Sequence, residues 1–209
     1  ATKQILLNKS WEHLLKIIEV RENIGVAHAR NLGLSASTGQ YIAFCDADDL
    51  WHPRKLEMQV ADLGKGYKIL GSAAVRFLGS WNISTFDNIL QEGGDGYQIK
   101  MRDLITSNPF YFSSVIVWVG LIDNEKFDIY SPHEDYQFLI DIFRMHNDLI
   151  AKLDSRKLIG YRISQNSRSG NILKSFFNNY RVKLKNFGFY RTCMTLPAYI
   201  VKTVGKRLS

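Results

Sequence analysis

The spacing of apolar residues predicts that the chain begins with a helix. Ile5, Leu6, Leu14 and Ile18 recur at roughly helical intervals. Residues 2–18 are therefore expected to be helical.

Three further helices are predicted from composition and periodicity. Residues 26–37 are rich in Ala and Leu, which are strong helix formers. Pro53 is suited to a first helical position, so a helix is expected over 53–63. Residues 133–145 carry an apolar stripe at helical spacing. These three segments are expected to cover the faces of a sheet.

Five apolar runs of strand length lie between the helices. They occupy residues 41–45, 67–77, 111–119, 150–153 and 158–163. The first is continuously apolar and bounded by turn residues, as is typical of a buried central strand. Because strands and helices alternate, the predicted class is α/β with a mainly parallel sheet.

Composition narrows the class of protein. The chain has 209 residues, of which 45% are hydrophobic and 22% charged, as expected for one soluble globular domain. Its two cysteines, Cys45 and Cys193, are too far apart for a disulfide framework or a zinc motif. No run of about 20 apolar residues and no signal-peptide layout is present. We therefore expect a cytoplasmic protein.

The positive charge is concentrated at the end of the chain. Residues 171–209 contain eight Lys and Arg and no acidic residue, whereas the net charge of the whole chain is +7. Apolar residues recur there at helical spacing, which predicts a basic amphipathic helical tail. Such a helix suits an anionic membrane surface. The alternative is a helix packed on the rest of the chain with a solvated basic face.

Three carboxylates follow the first predicted strand. Asp46, Asp48 and Asp49 crowd one loop, where like charges repel unless a cation is present. A divalent ion bridging to phosphates would supply that cation. The alternative is that the run only caps the next helix. An EF-hand is disfavoured because no Gly occupies the required position, and Leu50-Trp51 departs from dehalogenase-like phosphatases.

Three neighbouring segments together resemble a known family. They are Glu22 to Asn31, Gly39 to Phe44 and Asp46 to Trp51, and in order and spacing they closely resemble the family 2 glycosyltransferases. The resemblance implies the GT-A fold, a Rossmann-like α/β domain that binds a nucleotide-sugar donor.

Site residues follow from the same resemblance. Asp46 would lie near the ribose, and Asp48 would hold Mn²⁺ or Mg²⁺. Arg30 and Asn31 match an Ala-Arg-Asn stretch beside the nucleotide, although solvation of a helix surface remains open for both.

Two downstream segments extend the resemblance. In Ser131 to Tyr136, the family carries an acidic pair at the mouth of the acceptor site, which makes Asp135 the expected catalytic base. The alternative is that Glu134 and Asp135 are first-turn acids of the next helix. In Gly160 to Ser169, Arg162 either faces the donor diphosphate or ties the last strand to a carboxylate.

The family resemblance also implies what the whole chain does. It predicts a catalytic domain over 1–170, followed by the tail, and the family's first βαβ unit is not found before it. The expected activity is inverting, metal-dependent transfer from a UDP-sugar to a lipid-linked saccharide or polysaccharide acceptor of a bacterial surface. A peripheral contact with the inner face of the cytoplasmic membrane is expected.

Two other functions are alternatives to this one. An inactive remnant that only binds partners or membrane is the alternative, because the first unit is missing. Nucleic-acid binding would use the basic tail but leaves the acidic motifs unexplained.

Overall fold

The chain folds into a sheet covered by helices. The computed structural model describes residues 15–80, 94–122, 126–163 and 172–208. Within these residues a six-stranded sheet carries helices against it. The α/β class predicted from the sequence is confirmed.

The strands are short except for two. They are β1 Tyr41–Ala43, β2 Leu50–Trp51, β3 Ile69–Phe77, β4 Tyr97–Ile99, β5 Ile116–Trp118 and β6 Ala151–Arg162. The α-helices are α1 Gly25–Ala36, α2 Lys55–Leu63, α3 Met101–Thr106, α4 Glu134–Met145 and α5 Ile172–Leu208. Helices α1, α2 and α4 confirm the predictions for 26–37, 53–63 and 133–145 within one or two residues at each end.

The direction of the strands corrects one prediction. The order is β1-β5-β3-β6-β2, with β4 also pairing with β6. Among the described strands only β3 and β6 run parallel, and the other pairs are antiparallel. The expectation of a mainly parallel sheet is therefore wrong for this part of the chain. An apolar strand can pair with its neighbour in a parallel or an antiparallel ladder. The order of helices and strands along the chain therefore does not determine whether neighbouring strands run parallel.

Local structure differs from the predictions at four places. The runs 150–153 and 158–163 belong to one strand, β6, whose polar centre pairs with β3. The run 111–119 begins with a 3₁₀ turn, Phe112–Ser114, before β5. Strands β2 and β4 and helix α3 were not predicted. Of the helix expected over 2–18, residues 15–18 are non-helical, and the rest lies outside the described residues.

A cluster of aromatic rings joins the sheet to α4. Phe44, which follows β1, lies 4.5 Å from the ring of Phe112, and Phe127 stacks on Phe138 of α4 at 4.2 Å. All four side chains are buried. Burying an aromatic side chain of this size contributes roughly 1.5–3 kcal/mol. The cluster therefore fixes α4 beneath the loop that follows β1.

Helix α2 is tied to the sheet by buried polar groups. The Gln59 amide donates to the Ser114 carbonyl oxygen over 3.0 Å, and Lys152 of β6 donates to Asp62 over 2.7 Å. The amine of Lys55 lies 4.1 Å from the centre of the Trp51 ring. Burial lowers the pKa of Lys55 to about 8, because the charged form loses its hydration. These contacts hold the chain that follows the acidic run.

Helix α5 is two helical segments joined at Gly188. That residue has φ 77° and ψ 170°, a conformation that Gly adopts without strain. The buried amine of Lys183 donates to the Thr106 carbonyl oxygen and to Thr195 across the bend, over 3.1 and 2.8 Å. Asn186 accepts a hydrogen bond from Gln137 of α4. The tail thus packs against α3 and α4.

In the described part of the chain, no helix has the length and apolar character needed to cross a bilayer.

Candidate functional site

A pocket of about 550 Å³ opens between the loop after β1, the start of α4 and the end of β6. We call it the acidic pocket and define it by five residues that the sequence singled out. They are Arg30, Asp46, Asp48, Asp135 and Arg162. Up to 132 residues separate these positions along the chain, so the fold alone brings them together.

Arg30 of α1 connects the two acidic motifs. Its guanidinium donates to Asp46 over 2.7 Å and to Glu134, the first residue of α4, over 2.9 Å. It also lies 4.5 Å from the centre of the Phe112 ring. The side chains of Arg30 and Glu134 are only 11% and 5% exposed. Just before α1, the Asn23 side chain accepts a hydrogen bond from the N–H of Gly25, the pattern of an Asx turn.

Ser113 is hydrogen-bonded to the loop that carries Asp46, Asp48 and Asp49. Its hydroxyl accepts a hydrogen bond from the Asp46 N–H over 3.0 Å and donates to Asp49 over 2.5 Å. Asp49 also accepts the backbone N–H of Arg162 over 3.0 Å. Burial raises the pKa of Asp49, although both of these hydrogen bonds act to lower it. Asp49 is thus a buried link between the loop and the end of β6.

Asp48 differs from its neighbours because it is exposed at the pocket. The described residues contain no group of three His, Cys, Asp or Glu placed to hold a metal ion. Mg²⁺ is usually held by one or two carboxylates together with substrate phosphates. Asp46 and Asp48 therefore fit a divalent ion whose coordination is completed by a bound diphosphate. They do not fit a closed structural metal site.

The two acids at the start of α4 have different surroundings. Glu134 is buried and paired with Arg30, so taking up a proton would cost it that ion pair. Asp135 is half-buried and lines the pocket. Its carboxylate accepts a hydrogen bond from the backbone N–H of Tyr136 over 2.8 Å. Of the two carboxylates, Asp135 is the one with the freedom to accept a proton from a substrate.

Arg162 ends β6 on the wall of the acidic pocket. Its side chain is exposed, and the guanidinium carbon lies 5.3 Å from the centre of the Phe77 ring. Its backbone, but not its guanidinium, is bonded to Asp49. The expected alternative was a guanidinium that ties the strand to a carboxylate, whereas the link to Asp49 is made by the backbone N–H of Arg162.

Asn31 lies outside the acidic pocket. Its side-chain amide donates to the Phe127 carbonyl oxygen over 3.0 Å, and its side-chain oxygen accepts the Phe127 N–H over 2.8 Å. The paired hydrogen bonds attach α1 to the segment before α4. In this structure Asn31 joins α1 to the Phe127 backbone and does not line the acidic pocket.

Sequence reasoning missed three residues that also line the pocket. Lys174 and Asn178 come from the first turns of α5, and Tyr161 precedes Arg162. Lys174 was counted only as part of the basic tail, because nothing local in the sequence says where the tail helix packs. His133 also lines the pocket, and its Nε2 lies 3.3 Å from the Ser175 carbonyl oxygen.

The chain resembles curated bacterial glycosyltransferases over most of its length. It is 29% identical over 169 residues to the Escherichia coli UDP-Glc:alpha-D-GlcNAc-diphosphoundecaprenol beta-1,3-glucosyltransferase WfgD. It is 28% identical over 200 residues to the Staphylococcus aureus poly(ribitol-phosphate) beta-N-acetylglucosaminyltransferase TarP. These matches cover 76% and 91% of the chain, but only 59% and 58% of the two relatives.

A third relative is covered more fully, and a solved structure shares the fold. The putative teichuronic acid biosynthesis glycosyltransferase TuaG of Bacillus subtilis is 31% identical over 213 residues, covering 93% of this chain and 75% of that protein. The crystal structure of S. aureus TarS 1–349 with UDP-GlcNAc superposes with a TM-score of 0.61 at 16% identity, covering 95% of this chain and 59% of the TarS 1–349 chain. This likeness confirms the GT-A fold.

The family assignment rests on the sequence itself. Residues 1–118, more than half of the chain, match the family described as Glycosyl transferase family 2. That match contains α1 and the acidic run, two of the elements that build the acidic pocket. The chain belongs to glycosyltransferase family 2.

Proposed function

We propose that this chain is the sugar-transferring part of an inverting, metal-dependent glycosyltransferase. Its donor is a nucleotide-diphosphate sugar, a UDP-sugar, and its acceptor is a lipid-linked saccharide or polysaccharide of a bacterial surface. The observation that carries the proposal is the acidic pocket, where Asp46 and Asp48 face the same space as Asp135 and Arg162.

The residues of the pocket divide into those that bind the donor and one that activates the acceptor. Asp48, with Asp46 beside it, would hold Mn²⁺ or Mg²⁺ against the donor's diphosphate, and the ion would offset the negative charge that builds on the leaving group. Arg162 contacts the same diphosphate from the end of β6. Asp135 takes the proton from the attacking hydroxyl. Direct attack opposite the leaving group inverts the anomeric centre.

The names of the relatives support the choice of substrates. WfgD is named for a UDP-glucose donor and a diphosphoundecaprenol-linked acceptor, and TarP for poly(ribitol-phosphate). TarS was crystallised with UDP-GlcNAc. The printed descriptions of WfgD and TarS share a UDP-sugar, and the names of WfgD and TarP share an acceptor that carries phosphate. We propose a UDP-sugar donor and a phosphate-bearing acceptor for this chain.

Calorimetric titration with UDP, with and without Mn²⁺, tests the donor site. We expect UDP to bind the wild-type chain much more tightly with Mn²⁺, and Asp48→Asn to bind no better than the metal-free wild type. The reason is that the amide lacks the charge that holds a divalent ion. Asp148→Asn, an exposed change outside the acidic pocket, is the matched control. Metal-independent UDP binding, or no binding by a folded chain, would contradict the proposal.

We also propose that the second half of α5 contacts the anionic inner face of the cytoplasmic membrane. Tyr190, Met194 and Val201 lie on one face of this segment and are 74%, 65% and 71% exposed. Arg191 is exposed beside them. Apolar side chains flanked by basic residues are typical of helices that lie in the membrane interface.

Sedimentation with lipid vesicles tests this contact. We expect the chain to bind vesicles that contain phosphatidylglycerol, to bind neutral vesicles poorly, and to be released by salt, because the attraction to the headgroups is screened. The double change Tyr190→Ser and Met194→Ser should weaken binding roughly tenfold through lost apolar burial. Leu56→Ser, at an exposed apolar position of α2, is the control. Equal binding by both variants would rule out this surface.

A further inference from the structure

The C-terminal helix contributes two polar side chains to the acidic pocket. Lys174 and Asn178 both line it. They are four residues apart, so they lie on the same face of α5, one turn above the other. The part of the chain that looked like a separate basic tail therefore forms a wall of the candidate active site.

The position of this wall is set by contacts within it and further along α5. Near the pocket, His133 Nε2 lies 3.3 Å from the carbonyl oxygen of Ser175, the residue after Lys174. Further along, Lys183 is buried and bonded to Thr106, and Asn186 is bonded to Gln137. These contacts fix the rotation of α5 about its axis. Lys174 and Asn178 consequently face the pocket because of the packing of the helix.

The charges of the pocket suggest what these residues bind. Four carboxylates line it, those of Asp46, Asp48, Glu134 and Asp135. Arg30 is occupied by two of them. Among the described residues that line the pocket, the other basic side chains are Arg162 and Lys174, which approach from β6 and α5. With a divalent ion at Asp46 and Asp48, the positive charges in the pocket would outnumber the four carboxylates, so the pocket would suit an anion.

We propose that Lys174 and Asn178 bind a phosphate group in the acidic pocket. An ammonium attracts phosphate as a point charge, and the Asn amide donates a hydrogen bond to a phosphate oxygen. The inference rests on the proposed function. The phosphate comes either from the donor diphosphate or from an acceptor that carries phosphate, and binding experiments with one ligand for each source distinguish the two.

The test uses calorimetry on four variants. Lys174→Met removes the charge and keeps the length of the side chain, Lys174→Arg restores the charge, and Asn178→Ala removes the amide. Arg181→Met is the matched control, because Arg181 is exposed on the same helix and does not line the pocket. The ligands are UDP with Mn²⁺ for the donor, and farnesyl diphosphate at saturating UDP and Mn²⁺ for a polyprenyl-linked acceptor.

Each result has a defined meaning. Binding of one ligand should weaken roughly 10- to 100-fold in Lys174→Met and recover in Lys174→Arg, as expected for a charged hydrogen bond. If that ligand is UDP, the residues hold the donor, and if it is farnesyl diphosphate, they hold the acceptor. The thermal unfolding midpoint should not change, because Lys174 is exposed.

The failures of the two proposals are distinguishable. If the wild type binds UDP with Mn²⁺ and neither ligand is weakened in Lys174→Met relative to Arg181→Met, the inference is wrong and the proposed function stands. If farnesyl diphosphate alone binds, tested then without UDP, and Lys174→Met weakens it, the donor assignment is wrong and the inference stands. If a folded wild type binds neither ligand, both are wrong.

Discussion

Replacing Asp135 with Asn is expected to lower the rate of sugar transfer by about 10²- to 10⁴-fold, the usual contribution of a general base. The amide has the same size but accepts no proton from the attacking hydroxyl. Binding of UDP with Mn²⁺ should be unchanged, because in the proposed mechanism Asp46 and Asp48 hold the diphosphate. The measurement is the rate of UDP release from UDP-glucose and UDP-GlcNAc, together with calorimetry.

The control for this prediction lies on the same helix. Asp141 of α4 accepts a hydrogen bond from Gln137 and does not line the acidic pocket. Asp141→Asn should therefore leave the rate of UDP release close to that of the wild type. The assignment of Asp135 as the base is wrong if Asp135→Asn releases UDP at the wild-type rate. It is also wrong if UDP binding is lost in parallel with activity, which would indicate a role in the donor site.

The second large effect is on stability. Arg30→Met is expected to lower the free energy of unfolding by about 3 kcal/mol, the lower end of the cost of breaking a buried ion pair. The reason is that Glu134, only 5% exposed, loses a hydrogen-bonded cation at 2.9 Å. The pair with Asp46 adds less, because that carboxylate is 39% exposed and partly screened by solvent. Denaturation by urea, followed by circular dichroism, measures the change.

A double-mutant cycle shows whether the effect comes from the ion pair. Adding Glu134→Gln to Arg30→Met removes the buried charge whose ion pair with Arg30 has been lost, so the double variant should regain part of the lost stability. If the losses of unfolding free energy in the two single variants instead add up in the double variant, Arg30 stabilises the fold chiefly by packing on Phe112 and not by linking the acidic motifs. Arg54→Met, which breaks a solvent-exposed pair with Glu57, should leave the free energy of unfolding close to that of the wild type.

Several parts of the fold were predictable because their signals are local. The Ala- and Leu-rich composition of α1, the Pro before α2 and the apolar stripe of α4 predicted those helices within two residues. The continuous apolar run before Asp46 predicted β1, although the strand itself ends at Ala43. These signals are local because the period of a helix or strand sets which residues share one face, and an apolar face is the one that becomes buried.

The candidate site was predicted in part for the same reason. Asp46, Asp48 and Asp135 stand where an apolar strand or helix meets a loop, and such positions open to solvent at the edge of a sheet. The role of Asn31 could not be predicted, because its partner, the Phe127 backbone, is 96 residues away. The same holds for the bond between Asp49 and the N–H of Arg162, which joins loops 113 residues apart.

By itself the sequence determined the family, the kinds of elements and most of the carboxylates and cations of the acidic pocket. Those properties depend on residue type and on spacing along the chain. Tertiary structure alone decided the antiparallel course of most strands, the ion pair that joins Asp46 to Glu134 through Arg30, and the entry of Lys174 into the pocket. These features depend on contacts between distant segments, whose hydrogen-bond partners and packing exist only when the chain is folded.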